Sequence, residues 1–221
     1  MVKRKRAFKG PAMEGFIASL YAKHTRRDTS RFERVARAVS ERVAPGGKVL
    51  EVAPGPGYLA IEIARYGYEV TALDISHSFV RIAQDNALRA GVHIDVRHGD
   101  VADMPFADRS FDFVVSMAAF KNFTNPVGAL NEIHRVLKPG GQASIYDLRR
   151  DATRGEIDAA IADMHLTRAQ SLLNRWIFCF GLLPRAYTRE QLERMAAHSS
   201  FGRGELAISG IGFELHLTRP A

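Results

Sequence analysis

The chain has 221 residues, 46% of them hydrophobic and 25% charged, with a formal net charge of +7; this is ordinary usage for one globular domain with a substantial core. A single cysteine, Cys179, excludes an intrachain disulfide and fits a reducing compartment. The longest apolar run, Trp176 to Leu183, is far shorter than a membrane span, and no uninterrupted apolar segment follows the basic N-terminus, so a cytoplasmic protein without a signal peptide is expected. Part of the positive charge sits at Lys3, Arg4, Lys5, Arg6 and Lys9. A solvated terminus is the plain reading of that run; a nucleic-acid patch is the sharper one.

The predicted elements alternate. Phe16, Ile17, Leu20 and Tyr21 have helical spacing within Met13 to Lys23, and Phe32, Val35, Ala36, Val39 and Val43 form one face of a second helix over 30–43. Pro45-Gly46-Gly47 breaks the chain. Strand (Val49 to Ala53), helix (Tyr58 to Arg65), strand (Glu69 to Asp74) and helix (Ser78 to Ala90) follow, then an alternating strand over 92–97 and a nearly all-apolar strand from Phe111 to Met117. Asn125-Pro126 opens a helix that ends at Lys138-Pro139-Gly140-Gly141, and Gln142 to Leu148 is a fifth strand. Thr188 and Gln191 form a capping box for a helix to Ser199, and strands near 204–209 and 211–218 turn tightly at Ser209-Gly210.

This order predicts an α/β fold: a doubly wound, mostly parallel, seven-stranded sheet with an antiparallel strand near one edge. Four parts make one domain: N-terminal helices (1–44), a core (45–150), a helical insertion (151–186), and a C-terminal helix with a strand pair (187–221). The insertion follows a strand's carboxyl end, which places it over the ligand crevice as a lid.

The stretch V-L-E-V-A-P-G-P-G, Val49 to Gly57, runs a strand through a glycine turn into a helix. Gly55 and Gly57 let backbone approach a ligand, and the helix start aims amide donors at the same spot. Glu51 lies within the strand. Asp74 ends the next strand, where a carboxylate can accept both hydroxyls of a ribose. Gly99 and Asp100 follow the third strand; Asp100 can accept from an adenine amine, and the Val101 amide can donate to the ring. Such a set suits a nucleoside without a pyrophosphate. Gly55-Pro56-Gly57-Tyr58-Leu59-Ala60 also matches G-x-G-x-x-A, with Asp74 17 residues after Gly57. A nicotinamide-dependent reductase is therefore one rival reading, although no Tyr-x-x-x-Lys pair accompanies it. An RNA methyltransferase or RNA-binding module, suggested by the charge, is another. The eight histidines show no ligand spacing, so no metal is expected.

Taken in order, V-L-E-V-A-P-G-P-G, Asp74, Gly99-Asp100, F-D-F-V-V-S at 111–116 and L-K-P-G-G at 137–141 resemble class I S-adenosylmethionine-dependent methyltransferases. The nearest flavour is the small-molecule branch that includes quinone-biosynthesis enzymes. The resemblance covers residues 45–150 and the tail in outline. It implies S-adenosyl-L-methionine as cofactor, S-adenosyl-L-homocysteine as product, and a small acceptor; the aromatic stripe Trp176, Phe178 and Phe180 in the insertion favours an apolar or aromatic one. It also implies that Glu51 lies near the methionine amine, that Ala53, Gly55 and Gly57 line the cofactor, and that Asp74 with Ile75 holds the ribose. Gly99, Asp100 and Val101 would hold the adenine, and Met117 and Ala118 would flank the methyl group.

Three features depart from the family's pattern. Ala53 stands where the family usually has glycine, and Phe120-Lys121-Asn122-Phe123 occupies the place of a histidine pair. The Asp/Asn-Pro-Pro-aromatic signature of many amino methylases is absent. Candidate acceptor-side groups are Tyr21, His24, Lys121, Asn122, Tyr146, Asp147, His165 and Tyr187. Tyr21, His24 and Asp147 lead as catalytic residues: the first two because the N-terminal helix often closes this cleft in the family, the third because it ends a strand at the crevice.

Overall fold

The computed structural model describes residues 13–25, 29–164 and 167–221; the basic run at Lys3 to Lys9 and His165 lie outside them. Helices α1 (Gly15–Thr25) and α2 (Thr29–Ser40) precede β1 (Lys48–Val52), α3 (Tyr58–Arg65), β2 (Glu69–Asp74), α4 (His77–Ala90), β3 (Asp95–His98) and β4 (Phe111–Met117). Then come α5 (Pro126–Val136), β5 (Leu137–Leu148), α6 (Arg154–Ala162), α7 (Arg168–Trp176), α8 (Arg189–His198), β6 (Glu205–Ser209) and β7 (Gly212–Thr218).

The seven strands lie in the order β3-β2-β1-β4-β5-β7-β6. β1 to β5 pair in parallel, and β7 runs antiparallel to both β5 and β6. The strand order reverses between β1 and β4, which makes the carboxyl end of that pair the place where a ligand crevice opens. Period-two alternation divides the core. Leu50, Val52 and Val114 pack with Leu130, Ile133 and Leu192 on one face of the sheet. Val49, Phe113 and Val115 pack with Val35, Val39, Leu59 and Ile63 on the other.

The second helix ends at Ser40 rather than residue 43, and two strand starts differ by three residues or more from the sequence expectation. The third strand starts at Asp95 rather than residue 92, because Val92 donates its amide to Ala87 O and completes the cap of α4 behind Gly91, whose φ is 68°. The fifth strand begins at Leu137, so the Lys138-Pro139-Gly140-Gly141 run lies inside β5. The ladder absorbs it by a register shift opposite Phe111 to Phe113.

The insertion is helical. Thr153 and Thr167 each close a capping box, with Glu156 and Gln170. α7 continues into a π turn over Ile177–Leu182 and a 3₁₀ turn over Leu183–Arg185. Ile157, Ile161, Phe178 and Leu183 are its buried anchor.

Candidate active site

The loop after β1 reverses within a few residues. Ala53, Gly55 and Gly57 all have positive φ, at 55°, 55° and 79°. Gly57 has a second constraint, since a Cβ there would lie 2.9 Å from Ala83 Cβ on α4. Ala53 takes the left-handed conformation despite its side chain, at a cost of about 1–2 kcal/mol. Its counterpart on the neighbouring strand is Ala118, after β4, with φ 59°. The two strained alanines thus flank the crevice from its two central strands.

Asp74 ties the loops together. One carboxylate oxygen accepts from the Gly55 amide at 3.0 Å and the other from the Ser76 amide at 2.8 Å. Burial nevertheless pushes its pKa up to about 6. Glu51 is buried in the middle of the sheet, and its Oε2 has no hydrogen-bond partner. Desolvation pushes its pKa up to about 8; the amide of Ala60, in the first turn of α3, pulls it down, and the nearby Asp74 charge raises it. A buried carboxylate oxygen without a partner asks for a donor from outside the chain.

After β3, Gly99 donates its amide to Asp74 O, and a Cβ at Gly99 would lie 2.8 Å from Leu73 Cδ1. Asp100 Oδ1 accepts from the Ala102 amide at 2.9 Å. Ile75 is exposed, and its carbonyl accepts from His98 Nε2 at 3.0 Å. The His98 ring stacks on His77 with centroids 3.7 Å apart. Val101 is half-buried beside these loops. Met117, also half-buried, packs against the α2–α3 face of the core.

α1 lies across these loops. Glu14 accepts from the amides of His77 and Ser78 at the start of α4, Ser76 Oγ donates to Met13 O, and Tyr58 donates to Ala22 O. A Cβ at Gly55 would lie 3.8 Å from Tyr21 Cε1, so the Tyr21 ring covers the glycine turn. His24 is on the same helix; its side chain lies outside the described residues.

Asp147 sits at the carboxyl end of β5, as expected, but its oxygens are in use. Oδ1 accepts from Lys121 Nζ at 2.8 Å and from the Leu148 amide at 2.7 Å, and Oδ2 accepts from the Lys121 amide at 2.8 Å. Lys121 Nζ also donates to Ala118 O at 2.7 Å. Two residues singled out separately are thus one buried ion pair that holds the strained turn after β4. Tyr146 donates to Glu214 at 2.9 Å within a network that includes Arg42 and Ser144; burial and the Glu214 charge push its pKa up to about 12. Tyr187 packs edge-on against Phe120.

Sequence reasoning missed Glu14 and Ser76. Ser76 was legible as an N-cap two residues ahead of the expected helix start. Glu14 left no local signal, since its partners lie more than sixty residues away. Among the described residues no cluster of metal-ligating side chains occurs, and no helix is long and apolar enough to cross a membrane.

The doubly wound order, the glycine turn at its switch point and the acid at the end of β2 define a class I methyltransferase fold. A family model described as a methyltransferase domain matches residues 50–145. The ubiquinone/menaquinone biosynthesis C-methyltransferase of Cupriavidus metallidurans is 35% identical over 123 residues, covering 54% of this chain and 51% of that protein. The demethylmenaquinone methyltransferase of Listeria monocytogenes serotype 4a is 35% identical over 111 residues, covering 48% and 46%. The chain spans about half the length of the curated relatives it matches. Among solved structures, a protein from Methanococcus maripaludis proposed to be an S-adenosyl-L-methionine-dependent methyltransferase superposes with a TM-score of 0.74 at 21% identity, over 100% of this chain and 98% of that one. Residues 50–145 therefore match a methyltransferase domain, and over about half the chain they are similar to the quinone-biosynthesis methyltransferases.

Proposed function

We propose that the chain methylates a small apolar or aromatic acceptor, bound between α1 and the 151–186 insertion. The observation that carries the cofactor side is the pair of buried acids: Glu51 with an orphaned oxygen, and Asp74 held by two loop amides. When bound, S-adenosyl-L-methionine supplies a sulfonium methyl group already primed for transfer. The chain's part is positioning. Glu51 accepts from the methionine amine. Asp74 receives the ribose hydroxyls on the lone pairs that Gly55 and Ser76 leave, and Asp100 receives the adenine amine. Tyr21 excludes water over the glycine turn. With three hydrogen bonds already accepted, Asp147 is assigned to holding the turn at Ala118 through Lys121, and proton transfer, where an acceptor needs it, falls to α1 residues such as Tyr21 or His24. The curated relatives act in quinone biosynthesis, which supports an apolar ring as acceptor.

Fold alone does not settle the reaction: the [4+2]-cyclase SpnF shares this fold at a TM-score of 0.56 and 21% identity. The test is calorimetric titration with S-adenosylhomocysteine, and separately with NADH and NADPH. It is followed by a mass-detected panel of phenols, quinones, thiols and heterocyclic amines. Binding of the first ligand with methylation of a ring acceptor is expected. Binding of a nicotinamide cofactor alone would overturn the assignment.

A further inference from the structure

Two helices at the carboxyl end of the sheet turn apolar side chains to solvent. On α7 and its π turn, Leu172, Leu173, Trp176 and Phe180 are 58–70% exposed, and Phe180 lies against Trp176 with ring centroids 5.9 Å apart. These side chains recur at helical spacing, while Phe178 and Leu183 point inward as the anchor. On α1, Phe16 is 80% exposed and Leu20 58%, one turn apart. Monomeric proteins seldom leave contiguous apolar faces of this kind uncovered.

Within the two segments that carry these faces the charges have one sign. Residues 164–186 contain Arg168, Arg175 and Arg185 and no acid; α1 contains Lys23 and no acid. The acids of the insertion are concentrated on its other half and are largely neutralised: Asp151 and Glu156 pair with Arg149, and Asp158 pairs with Arg175. Beside the apolar face, a groove of about 370 Å³ between α6 and α7 is lined by Asp158, Ile161, Arg168, Ser171, Leu172 and Arg175, with Arg175 paired to Asp158. An amphipathic helix with Leu, Trp and Phe on one side and arginines beside it has the composition of an element that lies in a lipid interface.

We infer that α7 with its π turn, assisted by the Phe16–Leu20 face of α1, docks on an anionic lipid surface. The apolar side chains enter the headgroup layer, and the exposed Arg168 and Arg185 meet lipid phosphates. Docked this way, the crevice mouth faces the phase in which an apolar acceptor dissolves. That consequence rests on the acceptor class proposed above; the docking itself does not.

Trp176 is the single tryptophan of the chain, so its emission reports on this surface alone. The full chain is mixed with phosphatidylcholine vesicles, with or without phosphatidylglycerol, and followed by Trp176 emission and co-sedimentation. A blue shift and co-sedimentation with the anionic vesicles are expected, both weakened by salt. Phe180→Glu lowers the lipid affinity by about tenfold or more, and Arg168→Gln, at an exposed position that tolerates change, by about fivefold. S-adenosylhomocysteine binding stays unchanged in both variants, as a control for folding. The inference fails if neither vesicle shifts the emission, or if both variants bind vesicles like the parent chain. It also fails if the shift appears without lipid, whether it follows protein concentration (a second copy covers the face) or added S-adenosylhomocysteine (the insertion closes over the crevice).

Discussion

The loops after β1, β2 and β4 and the helical insertion share one end of the sheet, yet they are built in opposite ways. The loops are buried and tied down by several partners each: Asp74 accepts from two loop amides, and Asp147 accepts from three donors. That density of bonds is what keeps Ala53 and Ala118 in left-handed conformations. The insertion rests on the small cluster of Ile157, Ile161, Phe178 and Leu183 and turns Trp176 and Phe180 to solvent. A site for a fixed, common cofactor can be preorganised. A surface for a varied acceptor, or for a lipid, gains from being held loosely.

This contrast is open to test. The largest effect is expected at Lys121. Lys121→Met leaves Asp147 charged, buried and unpaired, and should cost about 3–5 kcal/mol in a denaturant titration. Adding Asp147→Leu should recover much of that loss; no recovery would mean the pair does not act as a unit. Next comes Asp74→Ala, which removes the acceptor of the Gly55 and Ser76 amides and, in the proposed complex, of the ribose. It should weaken S-adenosylhomocysteine binding by more than tenfold, each lost charged hydrogen bond contributing about 1.5–3 kcal/mol. Unchanged binding by calorimetry would move the ribose elsewhere.

A third test uses pH. Glu51 has an ordinary value of 4.5 and is pushed up to about 8 in the folded chain, and Asp74 goes from 3.8 to about 6. The folded state therefore holds more protons than the unfolded one across this window. The stabilisation from these groups is complete below their ordinary values and is lost as pH rises towards 8, by at most about 1.4 kcal/mol per pH unit for each group. In Glu51→Gln the decline above pH 6 should disappear when thermal unfolding of the ligand-free chain is followed against pH. A decline identical to the parent's would remove Glu51 from the account. The smallest effect is expected in the insertion: Leu173→Gln, at an exposed position, should change stability by no more than about 0.5 kcal/mol. A larger loss in the same unfolding assay would show that the insertion is as tightly built as the loops.

Much of this architecture was legible along the chain. Hydrophobic period and glycine punctuation located β1, α3, β2, α4 and β4 within a residue or two, because each is set by local pattern. The glycine turn, Asp74 and Asp100 were legible because they sit at fixed offsets from those strands. The Val92 and Lys138 boundaries were not, since an α4 cap and a β4–β5 register shift decide them. Asp147 and Lys121 both stood out as polar residues after strands, but nothing local says that two side chains 26 residues apart share one buried bond. Glu14 reaching the start of α4 is of the same kind.

The sequence by itself thus determined the sheet, its switch point and the placement of Asp74 and Asp100 at the ends of strands beside it, since these depend on patterns shorter than one βα unit. Tertiary structure alone decided which of those acids stay available to a ligand and which apolar residues stay in water. Both depend on what arrives from distant parts of the chain: a lysine in the turn after the neighbouring strand occupies Asp147, whereas Glu51 Oε2 stays unmatched and α7 finds partners for one face only.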